Sequence, residues 1–568
     1  MRHVGGALSV TLLAALLTGM PIAHAAAPKW TPKQAPGPGK GYHLNSVDCW
    51  SPGNCVAVGY QSSNGTTGSF IDKESDGTWS YVHLTGEADL TSVSCPAAGA
   101  CVAVGTIGAD TSSSEGLIEV QSGSHWTPIE ATGPEGRYSS YTGSLTGVDC
   151  PAVGSCVAVG QAQSNAEVNT GFLLTLKPGN SRTKPASWVA KRAPEKPGDG
   201  PYEDAGLAGV SCVSAGNCRA VGFAHDDSNY SDFIPLIDEE KNYVWAYGGS
   251  PMPSGASSGQ LTSVSCIVGS TVCMAAGNYN VNQLPVIVTI NTKTDGSQAA
   301  GEGLASPFTS GELLATSCSR DKQCQAVGVA YANSGPQYGW DGLIVSEKYG
   351  AGKPSGTAAA AKSPSDANTV QHNETLVSTS CVSGGLCVSV GSYLDNKGPE
   401  GDDEASVIDT RTYGSGGGIT GETDIKAPEP ANDTAADDQN VLGGVTCSNR
   451  THCAAVGSYS NDTDNSRGVI DTLGKTSPSK APIVAKVSPS HGKTAGGETV
   501  TVTGSNFSGA SAVKFGANKG SHLHVISSTK LTVQAPSHSA AQVNIRVTTR
   551  RGTSAVTKND RYTYSRHG

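Results

Sequence analysis

One short pattern with two cysteines occurs eight times in the chain, and it restricts the possible folds more than any other feature. The first copy is Ser46–Gly59, in which five residues separate Cys49 from Cys55. All sixteen cysteines of the 568-residue chain belong to such pairs. The other pairs are Cys95/Cys101, Cys150/Cys156, Cys212/Cys218, Cys266/Cys273, Cys318/Cys324, Cys381/Cys387 and Cys447/Cys453. A recurrence of this kind indicates that one supersecondary unit is repeated through most of the molecule.

The first 25 residues have the features of a secretory signal peptide. Arg2 and His3 precede the apolar run Ala7–Leu17, and Ala23-His24-Ala25 offers a cleavage site with small residues. The apolar run is too short to cross a bilayer, and no later stretch is apolar enough to do so. We therefore expect an exported protein, extracellular or associated with the cell wall, with no membrane span.

Export favours a disulfide within each pair of cysteines. Regularly spaced cysteines in even number form disulfides in an oxidising compartment. Zinc is the alternative, but zinc sites prefer shorter cysteine spacings and usually recruit histidine. Only His452 lies between the members of a pair. We expect eight disulfides, no metal and no cofactor.

Each repeat has the pattern of four strands, which we call a, b, c and d. Strand a ends at the first cysteine, as in Leu90–Cys95, and strand b begins at the second; strand c is rich in Leu and Ile, as in Gly116–Val120. Several copies of strand d contain a tryptophan, namely Trp79, Trp126, Trp188 and Trp245. A five-residue turn places the two cysteines opposite each other on antiparallel strands, where a disulfide can form. Repeats of 46 to 66 residues built in this way predict an all-β fold, a β-propeller.

The ends of the repeat region predict how the ring closes. Trp30 stands in a strand that resembles strand d but precedes the first cysteine pair, whereas the eighth repeat has no strand d after Gly468–Thr472. The N-terminal strand is therefore expected to complete the last blade, which removes the open sheet edges. We predict an eight-bladed propeller over residues 27–475, with a linker at 476–481. A seven-bladed ring with one additional repeat is the alternative.

Residues 482–568 follow a different pattern. They open with Val487-Ser488-Pro489, contain Gly496-Gly497 and the turn Gly504–Phe507, continue with Val513–Gly516 and close at Tyr562–Tyr564. These motifs resemble the IPT/TIG domain family, which implies an immunoglobulin-like β-sandwich. The resemblance implies little about function, because such domains serve as spacers, dimerisation modules or surface-binding modules.

Charge differs between the two parts of the chain. The last 87 residues contain eleven Lys and Arg against two acids, whereas residues 26–481 contain 26 basic and 46 acidic residues. The basic domain could bind an anionic cell-wall polymer or an extracellular polysaccharide, or it could dock on the acidic propeller. Its candidate cations are Lys514, Lys519, Arg546, Arg550, Arg551, Lys558, Arg561 and Arg566. Nucleic acid is not expected as a partner of an exported protein.

Candidate ligand-binding residues lie in the irregular connections b–c and d–a. These connections share one face of the propeller, and variable loops on a rigid frame usually carry function. Insertions occur at 61–68, 161–170, 224–232, 352–374, 393–405 and 421–440. The leading candidates are the aromatic and acidic residues Tyr138, Tyr141, Tyr202, Asp226, Asp227, Tyr230, Trp340, Asp402 and Asp403, and the same face includes Tyr42, Asp204, Asp232, Tyr338 and Glu404.

Catalytic motifs are absent from the sequence. It contains no Gly-x-Ser-x-Gly elbow, no HExxH helix and no phosphate-binding loop. The acid-rich segments 461–466 and 401–404 do not fit a calcium loop with its closing glutamate. A secreted, non-catalytic protein that binds carbohydrate or protein at the cell surface is therefore the favoured hypothesis. The alternatives are a polysaccharide-active hydrolase or lyase and a structural envelope protein.

Overall fold

The computed structural model describes residues 29–37, 39–63, 66–84, 86–108, 114–131, 142–163, 169–177, 187–194, 204–226, 229–252, 255–279, 284–291, 301–303, 308–332, 339–349, 355–368, 373–396, 403–430, 439–461, 465–474, 481–507, 510–527, 529–549 and 552–566. Within these residues the regular elements are 42 β-strands, numbered β1 to β42. The described part of the chain contains no helix that is long and apolar enough to span a membrane.

Up to residue 474, the described strands form eight four-stranded antiparallel sheets. Blade 1 contains β2 (Tyr42–Ser51), β3 (Asn54–Ser63), β4 (Thr66–Ser75) and β5 (Thr78–His83). Blade 2 contains β6 (Ala88–Ser94), β7 (Val102–Ile107), β8 (Glu115–Ser122) and β9 (His125–Glu130). Blade 3 contains β10 (Thr142–Ala152), β11 (Ser155–Gln163), β12 (Asn169–Lys177) and β13 (Ser187–Arg192). Blade 4 contains β14 (Ala205–Ser214), β15 (Asn217–Asp226), β16 (Asn229–Lys241) and β17 (Val244–Gly249).

The next three blades keep the same order of strands. Blade 5 contains β18 (Gly259–Cys266), β19 (Val272–Tyr279), β20 (Leu284–Asn291) and β21 (Gly301–Gly303). Blade 6 contains β22 (Phe308–Cys318), β23 (Gln323–Ala332), β24 (Trp340–Lys348) and β25 (Ser355–Ala360). Blade 7 contains β26 (Thr375–Val382), β27 (Leu386–Leu394), β28 (Glu404–Tyr413) and β29 (Ile419–Lys426).

Blade 8 joins the two ends of the repeat region. It contains β30 (Val441–Asn449), β31 (His452–Asn461), β32 (Asn465–Leu473) and, at its outer edge, β1 (Trp30–Gln34). Strand β1 pairs with β32 in antiparallel register from Trp30↔Leu473 to Gln34↔Val469. The first strands of successive blades contact one another, and β2 contacts both β6 and β30. The sheets therefore form a closed eight-bladed propeller, in which strand a of each blade is innermost.

The glycine at the end of each Cys-Val-Ala-Val-Gly run is required by the shape of strand a. In blade 1 the pairing of β2 with β3 has a bulge between Leu44 and Ser46. A Cβ on Gly59 would lie 1.9 Å from the carbonyl oxygen of His43. Because a side chain would clash with the backbone, only glycine fits there.

A ring of hydrogen bonds joins the blades at the disulfide-bonded ends of strand a. The main-chain N–H of Cys95 donates to Asp48 Oδ2 (2.7 Å), and that of Cys212 donates to Asp149 Oδ2 (2.7 Å). Serine takes the place of aspartate in the bonds Cys150–Ser94, Cys266–Ser211, Cys318–Ser265, Cys381–Ser317 and Cys447–Ser380. The hydroxyl of Thr446 donates to Asp48 Oδ1 (3.5 Å) and links blade 8 to blade 1. The Ser, Asp or Thr before each first cysteine therefore connects adjacent blades.

The predicted disulfides are confirmed in all eight blades, and the sixteen cysteines leave no free thiol. Their Cα–Cα distances are 3.9 to 4.1 Å. In chain order the bonds are Cys49–Cys55, Cys95–Cys101, Cys150–Cys156, Cys212–Cys218, Cys266–Cys273, Cys318–Cys324, Cys381–Cys387 and Cys447–Cys453.

The a–b hairpin explains why each bond stays within its own repeat. In six of the eight blades the two cysteines are direct partners in the register of the hairpin. The second cysteine, which begins the run of strand b, is at most 4% exposed in every blade; these residues are Cys55, Cys101, Cys156, Cys218, Cys273, Cys324, Cys387 and Cys453. The spacing of the pattern thus follows from the hairpin geometry, and the bonds are part of the buried frame.

The C-terminal residues form a separate immunoglobulin-like β-domain with two sheets. The first sheet contains β33 (Ile483–Ser488), β35 (Thr499–Ser505), β39 (Lys530–Gln534) and β38 (Ser521–Ser527), in that order. The second contains β34 (His491–Lys493), β42 (Arg561–Ser565), β40 (Ala541–Thr549), β36 (Ala512–Phe515) and β37 (Asn518–Lys519), with β41 (Gly552–Thr553) paired to β40. Its core includes the buried rings of Phe507, Phe515, Tyr562 and Tyr564. The all-β fold class and the two predicted architectures are therefore confirmed.

Candidate functional site

The two ends of the propeller differ in their connections. The a–b and c–d turns lie together at what we call the disulfide end, where the N–H of Gly77 donates to the carbonyl of Gly53 (2.9 Å). The b–c and d–a connections meet at the opposite, loop end, where the N–H of Ser62 donates to the carbonyl of Gly41 (2.7 Å). Trp340 begins β24 and Asp204 directly precedes β14, so these two of the candidate residues named from the sequence lie at the loop end.

Blade 6 presents an exposed tryptophan at the loop end. Trp340 begins β24, is 45% exposed, and makes an edge contact with the ring of Tyr331 at a centroid distance of 5.6 Å. Its main-chain N–H donates to Asn373 Oδ1 (3.4 Å), and its carbonyl accepts from the N–H of Glu374 (2.8 Å). The indole is therefore accessible while its backbone is held from both sides.

Blade 4 presents a second aromatic group at the same end. The ring of Phe233 contacts Phe223 edge-on at 5.0 Å and His225 at 4.6 Å. Phe233 is 37% exposed. An edge-to-face contact between two rings stabilises a protein by about 1 kcal/mol more than the burial of their apolar area alone. These contacts therefore hold the ring of Phe233 in place with one face exposed.

Polar groups lie beside the aromatic group of blade 4. Asp204 Oδ1 accepts from Asn169 Nδ2 (2.7 Å), and Asp204 Oδ2 lies 3.8 Å from His225 Nε2. Asp204 adopts a positive φ of 68°, a conformation that aspartate tolerates better than most residues. Stacking surface and hydrogen-bonding groups therefore occur together where blades 3 and 4 meet. Sequence reasoning named Asp204 but missed Phe223, His225 and Phe233, although their alternation along β15 and β16 was a usable signal.

The structure places some of the other predicted residues in strands rather than loops. Asp226 ends β15 and Tyr230 lies in β16, because the b–c hairpin of blade 4 continues its pairing as far as Asp226↔Asn229. Asp403 is half-buried, and its carbonyl accepts from the N–H of Asp395 (2.9 Å). The remaining leading candidates, Tyr138, Tyr141, Tyr202, Asp227 and Asp402, lie outside the described residues, as does Tyr338.

The expectation that Tyr42 is exposed is wrong. Its side chain is fully buried, its ring meets that of Phe70 edge-on at 5.3 Å, and its hydroxyl donates to the carbonyl of Ala35. Tyr42 occupies a position of strand a whose side chain faces the neighbouring blade, so Tyr42 belongs to the core. The stacked pair His43 and Tyr60, with centroids 5.0 Å apart, lies nearby in the same blade.

Strand c carries a buried carboxyl group at the same position in five blades. Asp72, Glu119, Asp238, Asp409 and Asp471 are at most 1% exposed. They lie opposite small residues of strand b, in the pairs Ala57↔Asp72, Ala103↔Glu119, Ala220↔Asp238, Ser389↔Asp409 and Ala455↔Asp471. Burial raises the pKa of Asp72 and Glu119 to about 7 and that of the other three well above the usual range. These groups belong to the frame rather than to the accessible surface.

Blade 7 adds further acids to this position. Asp409 pairs in register with Asp424 on β29, and Glu422 lies two residues before Asp424. One carboxylate oxygen from each of the three lies within 4.8 Å of the others. The sequence did not indicate this cluster. In other blades a tryptophan marks strand d, but β29 of blade 7 has none, so its pairing with β28 could not be recognised from the sequence.

The C-terminal domain contains a cavity of about 300 Å³ with a basic lining. Its cations are Lys486, Lys558 and Arg561, and its neutral hydrogen-bonding groups include Gln542 and Asn559. The cationic lining is in keeping with the excess of basic residues in this domain.

Comparison with known proteins identifies the C-terminal domain. Residues 482–564 match the IPT/TIG domain family, which agrees with the resemblance in sequence. No curated protein resembles the chain in a sequence search.

Solved structures resemble the chain only in outline. Sqt1 from Chaetomium thermophilum, bound to the N-terminus of a ribosomal protein, has 10% identity and a TM-score of 0.44, with 77% of this chain and 98% of Sqt1 covered. The WD40 domain of SCAP from fission yeast has 8% identity and a TM-score of 0.38, with 79% and 99% covered. PorZ from Porphyromonas gingivalis, a surface component of a secretion system, has 9% identity and a TM-score of 0.27, with 92% and 81% covered. The propeller architecture therefore rests on the strand pairing described above.

Proposed function

We propose that this is a secreted, non-catalytic binding protein that recognises carbohydrate or protein at the cell surface through the loop end of its propeller. The observation that carries the proposal is the pair of exposed aromatic side chains, Trp340 on β24 of blade 6 and Phe233 on β16 of blade 4. Eight disulfides fit an oxidising compartment and hence export.

Carbohydrate is the ligand class that the geometry favours. Each exposed ring lies beside hydrogen-bonding side chains. Trp340 lies beside Asn373 of the connection between blades 6 and 7, and Phe233 lies near Asn169 of blade 3 and Asp204 at the start of blade 4. Sugar rings present an apolar face to an aromatic ring and hydroxyl groups to such acceptors and donors. A protein partner would be better served by one contiguous apolar patch.

A binding screen with the full-length protein tests this proposal. A panel of polysaccharides and cell-wall fractions would be compared for the wild type, Trp340→Ala and Phe233→Ala. We expect each substitution to weaken binding about tenfold or more, because buried aromatic anchors dominate binding energy.

Matched controls are available at the disulfide end. Val153, in the a–b turn of blade 3, is 65% exposed, and Val244, the first residue of β17 in blade 4, is 61% exposed. Val153→Ala and Val244→Ala should therefore bind normally. Equal binding by all four variants would refute recognition at the loop end. Turnover of a polysaccharide by the wild type would instead support the hydrolase or lyase.

The basic cavity of the C-terminal domain supports a second candidate, the capture of an anionic cell-wall polymer. Its lining combines Lys486, Lys558 and Arg561. Binding of this kind should weaken steeply with salt, because exposed charges are screened beyond about 10 Å at 0.1 M ionic strength. Arg561→Gln together with Lys558→Gln should abolish it and leave binding at the loop end intact.

A further inference from the structure

Two acidic side chains face each other across a strand pair in blade 7. Asp409 on β28 is directly opposite Asp424 on β29, and Asp409 is fully buried. Like charges directly opposite in a sheet are destabilising, and a buried carboxylate without compensation is costly. The pair therefore requires a positive partner or a shared proton.

The nearby basic side chains compensate only part of the acidic cluster. Arg411 Nε donates to Asp409 Oδ2 (3.4 Å), and Arg411 Nη2 lies 2.5 Å from Glu422 Oε1. The largely exposed Lys362 places Nζ 2.9 Å from Glu422 Oε2. Among the described residues, no donor group contacts Asp409 Oδ1 or either carboxylate oxygen of Asp424. The two carboxyl groups lie within hydrogen-bonding reach of each other, so a cation or a shared proton has to relieve their repulsion.

A fourth acid increases the negative charge. Glu374 is fully buried, its Oε1 has no hydrogen-bond partner, and it interacts electrostatically with Asp424 and Arg411. Its other oxygen accepts from the hydroxyl of Ser363 (3.0 Å). If all four acids were ionised, they would exceed Arg411 and Lys362 by two negative charges.

We propose that blade 7 binds a hard divalent cation, with Ca²⁺ as the best fit, between Asp409, Glu422 and Asp424. The three carboxylates already bring one oxygen each to within 4.8 Å of one another. A set of ligands that offers only oxygen selects hard cations, and Ca²⁺ accepts irregular geometry and water ligands. The side chain of Glu422 is 14% exposed, so water can reach the coordination shell from that side, whereas both carboxylate oxygens of Asp424 are buried.

Among the residues that the structure describes, such a group of acids occurs in blade 7 alone. The residue paired with the buried acid of strand c is Tyr81 in blade 1, Pro128 in blade 2, Tyr247 in blade 4 and Pro32 in blade 8. Each of these blades thus has a single buried carboxyl at this position, with no acid opposite it. The expectation of no metal considered acid-rich loops, whereas these ligands lie on adjacent strands.

Calcium titration of the full-length protein tests the proposal. After treatment with a chelator, CaCl₂ would be added during thermal unfolding and isothermal titration calorimetry. We expect one Ca²⁺ per chain at this site and a rise in Tm of about 2 °C or more at saturation, because a ligand that binds only the folded state stabilises it. Asp424→Asn should abolish both effects, whereas Asp471→Asn, at the corresponding position of blade 8, should retain them.

Three results would overturn the proposal. The first is a wild-type Tm that does not change with Ca²⁺, Mg²⁺ or Mn²⁺. The second is a calcium response in Asp424→Asn that equals the response of the wild type. The third is that neither protein responds to calcium and that Asp424→Asn has a higher Tm than the calcium-free wild type. The third result would show that Asp409 and Asp424 share a proton. If Asp424→Asn does not fold, Glu422→Gln replaces it in calorimetry, and heat equal to that of the wild type would exclude the site. None of these readouts depends on ligand binding at the loop end.

Discussion

The propeller and the C-terminal domain stabilise β-sheets by different means. In the propeller each blade carries one disulfide, and the middle of strand b consists of small residues such as Val56, Ala57 and Val58. The C-terminal domain contains no cysteine and packs one core around Phe507, Phe515 and two tyrosines. Large aromatic side chains dominate core energetics because they bury the most apolar area.

The difference follows from how each sheet is covered. A blade is covered on both faces by its neighbours, so strand b has to be small enough for adjacent sheets to approach. Small side chains bury little apolar area, so disulfides and the hydrogen bonds that connect blades, such as that from Cys95 to Asp48, add stability to the propeller. The most regular feature of the sequence is thus part of the frame, whereas the exposed groups at the loop end differ from blade to blade.

Reduction of the disulfides should have the largest effect and should separate the two regions. Each bond closes a loop of six or seven residues in sequence separation, which corresponds to about 2 kcal/mol per bond in the chain-entropy description. Calorimetry with a reductant should show the propeller transition lost or strongly lowered, while the C-terminal domain, which has no cysteine, unfolds as before. Equal shifts of both transitions would contradict this contrast.

Acidity should stabilise the propeller. The pKa values of Asp72 and Glu119 are raised by burial to about 7, against about 4 in an unfolded chain. A raised folded-state pKa gives stability that is fully present below pH 4 and is lost as the pH rises through 7. One pKa unit corresponds to about 1.4 kcal/mol, so the loss for the propeller should reach several kcal/mol.

Thermal unfolding of the chelator-treated protein between pH 4 and pH 8 checks this dependence. The C-terminal domain, measured in the same scans, provides the internal reference. Asp72→Asn and Glu119→Gln should each make the decline shallower. A propeller Tm that rises towards pH 8 would contradict the account.

Removal of the N-terminal strand should open the ring. A variant that lacks residues 27–34 loses all five residues paired with β32, including the half-buried Trp30. We expect a loss of about 3 kcal/mol or more, comparable with truncation of a large core side chain. Phe515→Ala, which removes a large core side chain from the C-terminal domain, is the matched control. It should lower only the Tm of that domain. An unchanged propeller Tm after the deletion would mean that β1 does not close the ring.

Loss of a single disulfide should have the smallest effect of this series. The double substitution Cys212→Ser with Cys218→Ser should cost about 2 kcal/mol and leave a folded propeller. Denaturant unfolding measures the change. A loss as large as that on full reduction would show that the blades are not cross-linked independently.

The frame was predictable because its signals are local. The spacing of Cys49 and Cys55 specifies a hairpin, and the strand around Trp30 indicates how blade 8 is completed. Both features depend on residues close in sequence or on comparison of the repeats with one another. The match of the C-terminal motifs to a known domain family supplied the second fold.

The candidate sites were less predictable because they depend on register between strands. A tyrosine can be exposed or buried, so the residue type of Tyr42 does not show which it is. Only the strand pairing shows that its side chain faces the next blade. Likewise, Asp409 and Asp424 are fifteen residues apart in sequence, and the cluster appears only when β28 and β29 are aligned. At Phe233 the alternation of aromatic residues was visible in the sequence, but the contacts of Phe233 with Phe223 and His225 depend on the pairing of β15 with β16.

Hydrogen exchange of the full-length protein, with and without a bound polysaccharide or cell-wall fraction, tests directly whether the loop end is the binding surface. We expect the ligand to protect backbone amides around Trp340 in blade 6 and Phe233 in blade 4. The turns at the disulfide end and the cavity around Arg561 should exchange as in the free protein. Protection confined to the C-terminal domain or to the disulfide end would contradict a binding surface at the loop end.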